Sequence, residues 1–129
     1  MFPDLSVGSS SPSNELLVVD DDPDLVRGLA RILKLRGYSV YQATCGHEAV
    51  ELAKTHRPKV AVMDIRMPGL NGIEAFRKIK ETCPHAAVIF MTGFSEFEQE
   101  AHDEGAVAVL RKPVNLEHLF ETLDSLKEL

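Results

Sequence analysis

Five times along this chain a short aliphatic or β-branched run precedes a longer stretch whose apolar residues recur at helical spacing. The runs are residues 16–19 (LLVV), 38–41 (YSVY), 60–63 (VAVM), 87–91 (AVIFM) and 107–110 (VAVL). Few folds accept that alternation. Five β-then-α units imply right-handed crossovers and an α/β fold: a single doubly wound (βα)5 domain with a parallel five-stranded sheet and helices on both faces. The first, third and fourth runs are apolar on consecutive residues, as strands covered on both sides must be, while the second alternates like an edge.

The intervening stretches carry helix signals. Asp22 and Pro23 suit a helix start, one as the capping oxygen and the other as a first-turn ring. Leu25, Leu29, Ile32 and Leu33 then form an apolar stripe that Gly37 ends. A second helix is predicted over 47–56, with Val50 and Ala53 inward. A third follows Asn71 and Gly72, uses Ile73, Phe76 and Ile79, and stops before Pro84. The fourth, over 95–104, is crowded with Glu96, Glu98, Glu100, Asp103 and Glu104 and has the weakest stripe, so it is expected to be the least firmly packed. The fifth begins at Asn115, a capping residue, and repeats Leu116, Leu119, Phe120, Leu123 and Leu126.

At 129 residues the chain can bury one such core and little more. Its longest apolar run, residues 86–91, is six residues long, far below the roughly 20 a membrane span needs. Residues 1–14 (MFPDLSVGSSSPSN) have no Lys or Arg and no apolar stretch, so they do not read as a secretory signal. Their Ser and Pro content predicts a flexible arm over 1–14, a domain over 15–129 and a cytoplasmic location. Cys45 and Cys83 have no metal-ligand spacing and read as ordinary thiols. The net charge of −6 disfavours a nucleic-acid backbone as a direct partner.

In doubly wound sheets, ligands sit beyond the carboxyl ends of the strands. Reading those positions gives Asp20, Asp21 and Asp22 after the first run, Asp64 after the third, Thr92 and Gly93 after the fourth, and Lys112 and Pro113 after the fifth. Carboxylates from neighbouring strand ends repel, so a small hard cation such as Mg²⁺ is the natural means of keeping them ionised. A carboxylate at Asp64 can attack phosphorus to give an acyl phosphate. Thr92 can donate a hydrogen bond to one phosphoryl oxygen, and the Lys112 ammonium can neutralise another. Taken singly each has a plainer reading: Asp22 is best assigned as a helix cap, Thr92 and Gly93 are common loop residues, and Lys112 alone would be a surface lysine. Their recurrence at four of five strand ends gives the set its specificity. The five histidines have no metal spacing and read as solvated.

Over residues 16–129 the sequence resembles the receiver domain of two-component response regulators, through LLVVDDDPD, VAVMDIRMPGLNG, VIFMTGF and VLRKPV in that order. The resemblance implies the flavodoxin-like strand order 2-1-3-4-5. It makes Asp64 the phosphoacceptor and Asp20 and Asp21 the acidic pair that holds Mg²⁺ (or Mn²⁺), with the backbone carbonyl of Arg66 as a further metal contact. Thr92 becomes the switch hydroxyl, Lys112 the phosphate-contacting lysine, and Lys112–Pro113 the family's cis peptide, while Pro68, Gly69 and Gly72 match the loop after the phosphoacceptor. The implied activity is uptake of a phosphoryl group from a phosphohistidine of a sensor histidine kinase or phosphotransfer protein, then self-hydrolysis, so the domain is a switch that catalyses its own modification rather than a conventional enzyme. The implied output is a change at helix four, strand five and helix five that alters partner binding, with a phosphorylation-dependent homodimer among the outcomes and the output partner unnamed. One position departs from the family: Val109 stands where Tyr or Phe is usual. Arg66 and Phe94 occupy the variable positions flanking the site, where bulk should slow hydrolysis.

Other readings fit less well. A pseudo-receiver that docks partners without chemistry would not need the intact set Asp20, Asp21, Asp64, Thr92 and Lys112. A flavodoxin-like flavin binder would bring its phosphate against three carboxylates. A haloacid-dehalogenase phosphatase wants a second Asp where Arg66 stands.

Overall fold

The computed structural model describes residues 14–127; apart from Asn14, the predicted arm lies outside the described residues. Five strands, β1 (Glu15–Val19), β2 (Ser39–Ala43), β3 (Val60–Asp64), β4 (Ala87–Thr92) and β5 (Ala108–Arg111), form one parallel sheet in the order β2-β1-β3-β4-β5. The connecting helices are α1 (Pro23–Leu35), α2 (Gly46–His56), α3 (Gly72–Thr82), α4 (Glu98–Asp103) and α5 (Leu116–Lys127), with a 3₁₀ turn at Ser95–Phe97 leading into α4.

Strand alternation sorts the core into two layers. Leu17, Val19, Ala61, Met63, Val88 and Phe90 face α2, α3 and α4, while Leu16, Val18, Val62, Ile89 and Met91 face α1 and α5. Both sets are buried, which is why β1, β3 and β4 are continuously apolar. Burying each of these side chains larger than Ala61 contributes roughly 1.5–3 kcal/mol. Phe76 of α3 meets Phe90 edge to face at 6.1 Å between ring centroids, tying that helix to the centre of the sheet.

Caps fix the helix starts. Asp22 accepts from the Asp24 and Leu25 N–H groups, as its cap reading required, and Asn115 accepts from His118 N–H. Asn71 and Glu74 form a reciprocal capping box at α3.

Several boundaries shift. Tyr38 precedes β2 rather than opening it, because its ring is buried against the α1 and α5 layer. On α1 the buried residues are Val26, Leu29, Ala30 and Leu33, so the inward face is rotated and Leu25 and Ile32 sit at its edges. On α5, Leu119 and Leu123 carry the packing, while Leu116 is exposed. The fourth helix is the short α4, with only Ala101 buried. Arg66 pairs with Glu96 of the preceding turn, Arg111 with Glu98 and Arg77 with Glu100 of α4, all at exposed positions where such pairs contribute little, and Arg77 also pairs with the half-buried Glu104 just beyond the helix. That accounts for its expected weak packing. No described helix is long and apolar enough to cross a membrane. The thiols of Cys45 and Cys83 are free, and all five histidines are exposed.

Candidate functional site

Strand register builds the site. Val19 pairs with Met63 across β1 and β3, so the next residues, Asp20 and Asp64, leave the sheet side by side. Asp64 pairs with Met91 and Thr92 with Arg111, which places Thr92 and Lys112 at the same edge. The Lys112 N–H donates to the Thr92 carbonyl at 2.9 Å, extending that ladder by one residue.

Asp20, Asp64 and Thr92 are buried. Burial of a carboxylate requires partners, and Asp20 has two: the Asp22 N–H at 2.9 Å on one oxygen and the Lys112 ammonium at 2.6 Å on the other. The same ammonium lies 3.2 Å from Asp64. Asp21 is exposed at the rim, and carboxylate oxygens of Asp20, Asp21 and Asp64 lie within 4.8 Å of one another.

Burial pushes the Asp64 carboxyl above its ordinary range, and the Asp20 charge pushes it further, against the opposing pull of Lys112. For Lys112, burial acts to lower the affinity for its proton, but the hydrogen bond to Asp20 and the charges of Asp64 and Asp20 outweigh it and leave the ammonium more firmly protonated than usual. The pocket therefore holds more negative charge than one lysine offsets. Its all-oxygen, closely spaced donors fit a hard divalent cation, which would relieve that excess.

The loop after β3 is held against the site by backbone contact. Gly72 N–H donates to the Ile65 carbonyl at 2.8 Å, and a Cβ at Gly72 would lie 2.1 Å from the Asp64 carbonyl oxygen. Arg66 sits in this loop with its guanidinium 4.5 Å from the Phe94 ring centroid. Lys112–Pro113 is cis, matching the expectation. Val109 lies in β5 opposite Phe90 and is half-buried. Four features had escaped the sequence reading: the close approach at Gly72, the Arg66–Phe94 stack, the engagement of the Thr92 hydroxyl with the Phe94 backbone and the Asn71–Glu74 capping box. Of these only the capping box, from Asn71 followed three residues later by Glu74, left a readable pattern.

A doubly wound α/β domain with a charged, partly buried pocket at its strand ends is a recognisable class, and comparison with known proteins places the chain within it. The family model for the response regulator receiver domain matches residues 16–124. The positive alginate biosynthesis regulatory protein of Pseudomonas aeruginosa is 41% identical over 111 residues, covering 84% of this chain and 45% of that protein. Among solved structures, the Vibrio cholerae chemotaxis protein CheY4 superposes with TM-score 0.79 at 29% identity, covering 87% of this chain and 97% of that one. A response regulator from Burkholderia pseudomallei, solved with a phosphorylated aspartic acid, calcium ion and citrate, gives TM-score 0.78 at 29% identity over 85% of this chain and 66% of that one. The chain belongs to the response regulator receiver domain family. It spans about half the length of curated relatives such as the Pseudomonas and Mycobacterium tuberculosis regulators, at 45% and 54%.

Proposed function

We propose that this domain accepts a phosphoryl group on Asp64 from the phosphohistidine of a sensor histidine kinase or phosphotransfer protein, releases it by self-hydrolysis, and changes partner binding between the two states. The observation that carries this reading is the Lys112 ammonium shared between Asp20 and Asp64 at 2.6 and 3.2 Å. A cation so placed lies beside any group bonded to Asp64.

In the transfer, an Asp64 carboxylate oxygen bonds to phosphorus as the P–N bond to the donor imidazole breaks. The bonding pair leaves with the imidazole, whose other nitrogen carries a proton, so the ring departs neutral. Hydrolysis joins a water oxygen to phosphorus, breaks the Asp64 O–P bond, frees the carboxylate and inorganic phosphate, and returns a proton to solvent. Lys112 balances charge on the phosphoryl oxygens, and the Thr92 hydroxyl donates to one of them. Asp20, Asp21, Asp64 and the Arg66 carbonyl would hold Mg²⁺ or Mn²⁺, which supplies charge neutralisation when bound. Drawing Thr92 toward the phosphoryl group repacks the surface of α4, β5 and α5, where an output partner or a second copy would bind.

Incubation with Mg²⁺ and acetyl phosphate tests the reading by intact mass. The native chain is expected to gain one phosphoryl group and Asp64→Asn none; no gain in the native chain would refute phosphoacceptance. The side chains of Arg66 and Phe94 are expected to hinder attacking water. The double variant Arg66→Asn, Phe94→Glu should release phosphate about 10-fold faster than the native chain, ~1.4 kcal/mol in barrier, and equal or slower release would remove them from that role.

A further inference from the structure

The Thr92 hydroxyl is committed to one neighbour. It accepts from the Phe94 N–H at 3.0 Å and donates to the Phe94 carbonyl at 3.2 Å. The Phe94 ring, 48% exposed, lies against the Arg66 guanidinium, and that guanidinium reaches Glu96 at 3.9 Å. Arg66 leaves β3 two residues beyond Asp64, and Glu96 lies in the turn that enters α4. A buried hydroxyl is thus joined, through one tight backbone turn, to a side-chain stack that bridges the two loops beside the site.

Building on the phosphoacceptor reading of Asp64, we propose that Phe94 is a positioning residue that links the Thr92 hydroxyl to the entrance of α4, with Arg66 and Glu96 as its contacts. A hydroxyl has one proton to donate. Donated to a phosphoryl oxygen on Asp64, it is withdrawn from the Phe94 carbonyl, and the turn that orients the ring loses a bond. The ring then leaves Arg66, and Glu96 loses the pairing that ties the turn to the β3 loop. The stack itself gives way readily, because a cation–π contact and an ion pair at exposed positions are both weak; Phe97 on the core and the Arg111–Glu98 pair at 2.9 Å hold the rest of the entrance, and Ala101 is the one buried residue of α4. In the other direction, the intact stack holds the Phe94 turn in the shape that keeps the hydroxyl occupied.

NMR of the native chain, with intact mass taken on the same sample, tests this. Cross-peaks between Arg66 side-chain and Phe94 ring protons are expected in the unphosphorylated chain and should vanish when Mg²⁺ and acetyl phosphate have driven the mass gain to completion. Thr92→Ala should weaken them without any phosphoryl group, although the Thr92 hydroxyl bonds to the Phe94 backbone and to neither side chain of the stack, and Thr92→Ser should restore them. Cross-peaks that persist at full phosphorylation, that are missing from the resting native chain, or that survive intact in Thr92→Ala overturn the link while leaving phosphoacceptance standing. A native chain that gains no mass overturns the underlying reading instead.

Discussion

Lys112→Ala is expected to slow acetyl-phosphate-driven modification of Asp64 by roughly 100-fold, the scale of losing one preorganised charge donor at a reacting oxygen. The reason lies in what the ammonium does at rest: it contacts Asp20 at 2.6 Å and Asp64 at 3.2 Å, and both carboxylates are buried. Without it, burial and the Asp20 charge, which already raise the Asp64 carboxyl above its usual range, act unopposed by lysine. Less of Asp64 is then ionised to attack, and the phosphoryl oxygens lose their fixed cation. Lys112→Arg should recover only part of the rate, because a planar guanidinium cannot occupy the position of a compact ammonium between two carboxylates. The time course of mass gain measures both variants, and near-native modification of Lys112→Ala would remove the lysine from the chemistry.

Gly72→Ala is the substitution expected to cost most stability. Its new methyl would meet the Asp64 carbonyl oxygen at 2.1 Å and the Ile65 Cα at 3.0 Å, and backbone at the end of a central strand cannot yield as a side chain could. Overpacking of this kind costs about 3 kcal/mol, which lowers Tm by roughly 10 °C for a domain of this size. Any relief moves Asp64 itself, so modification should slow together with the loss of stability. Gly28→Ala is the internal contrast. Nothing lies within 4 Å of a Cβ there, on helix α1, so the better helix former should stabilise by about 0.5–1 kcal/mol. Thermal unfolding of the two variants should therefore shift in opposite directions, and a Gly72→Ala midpoint at the native value would contradict the close approach.

Sequence legibility followed the range over which each feature is determined. The sheet and its strand ends could be read because β1, β3 and β4 are buried on both faces and spell this out as unbroken apolar runs. Asp22 and Asn115 could be read because a cap bonds only to its own next turn. Tyr38 misled, since a β-favouring aromatic next to a strand looks like its first residue, and only packing against α1 and α5 shows otherwise. The α4 stretch was legible in extent but not in type: helical structure runs from Ser95 to Asp103, with Ser95–Phe97 as a 3₁₀ turn and Ala101 the one buried residue of the α-helical part. The convergence of Asp20, Asp21, Asp64, Thr92 and Lys112 at one end of the sheet was legible from position alone. Which carboxylate the lysine favours, and where the Thr92 proton goes, depend on side-chain torsions fixed by neighbours distant in sequence.

All five strands run the same way, so every residue of the pocket leaves from one rim of the sheet, and among the described residues the opposite rim carries the start of β1, the end of α5 and the returns from helix to strand near residues 36–38, 57–59, 83–86 and 104–107. The fold therefore gathers the pocket at one edge. New termini, inserted tags or grafted modules introduced along the far rim leave the ladder that aligns Asp20 with Asp64 untouched, whereas one residue added within β1 would turn Asp20 to the wrong side of the sheet. For anyone re-engineering this domain as a sensor component, the permissible cut sites are set by strand polarity before any side chain is considered.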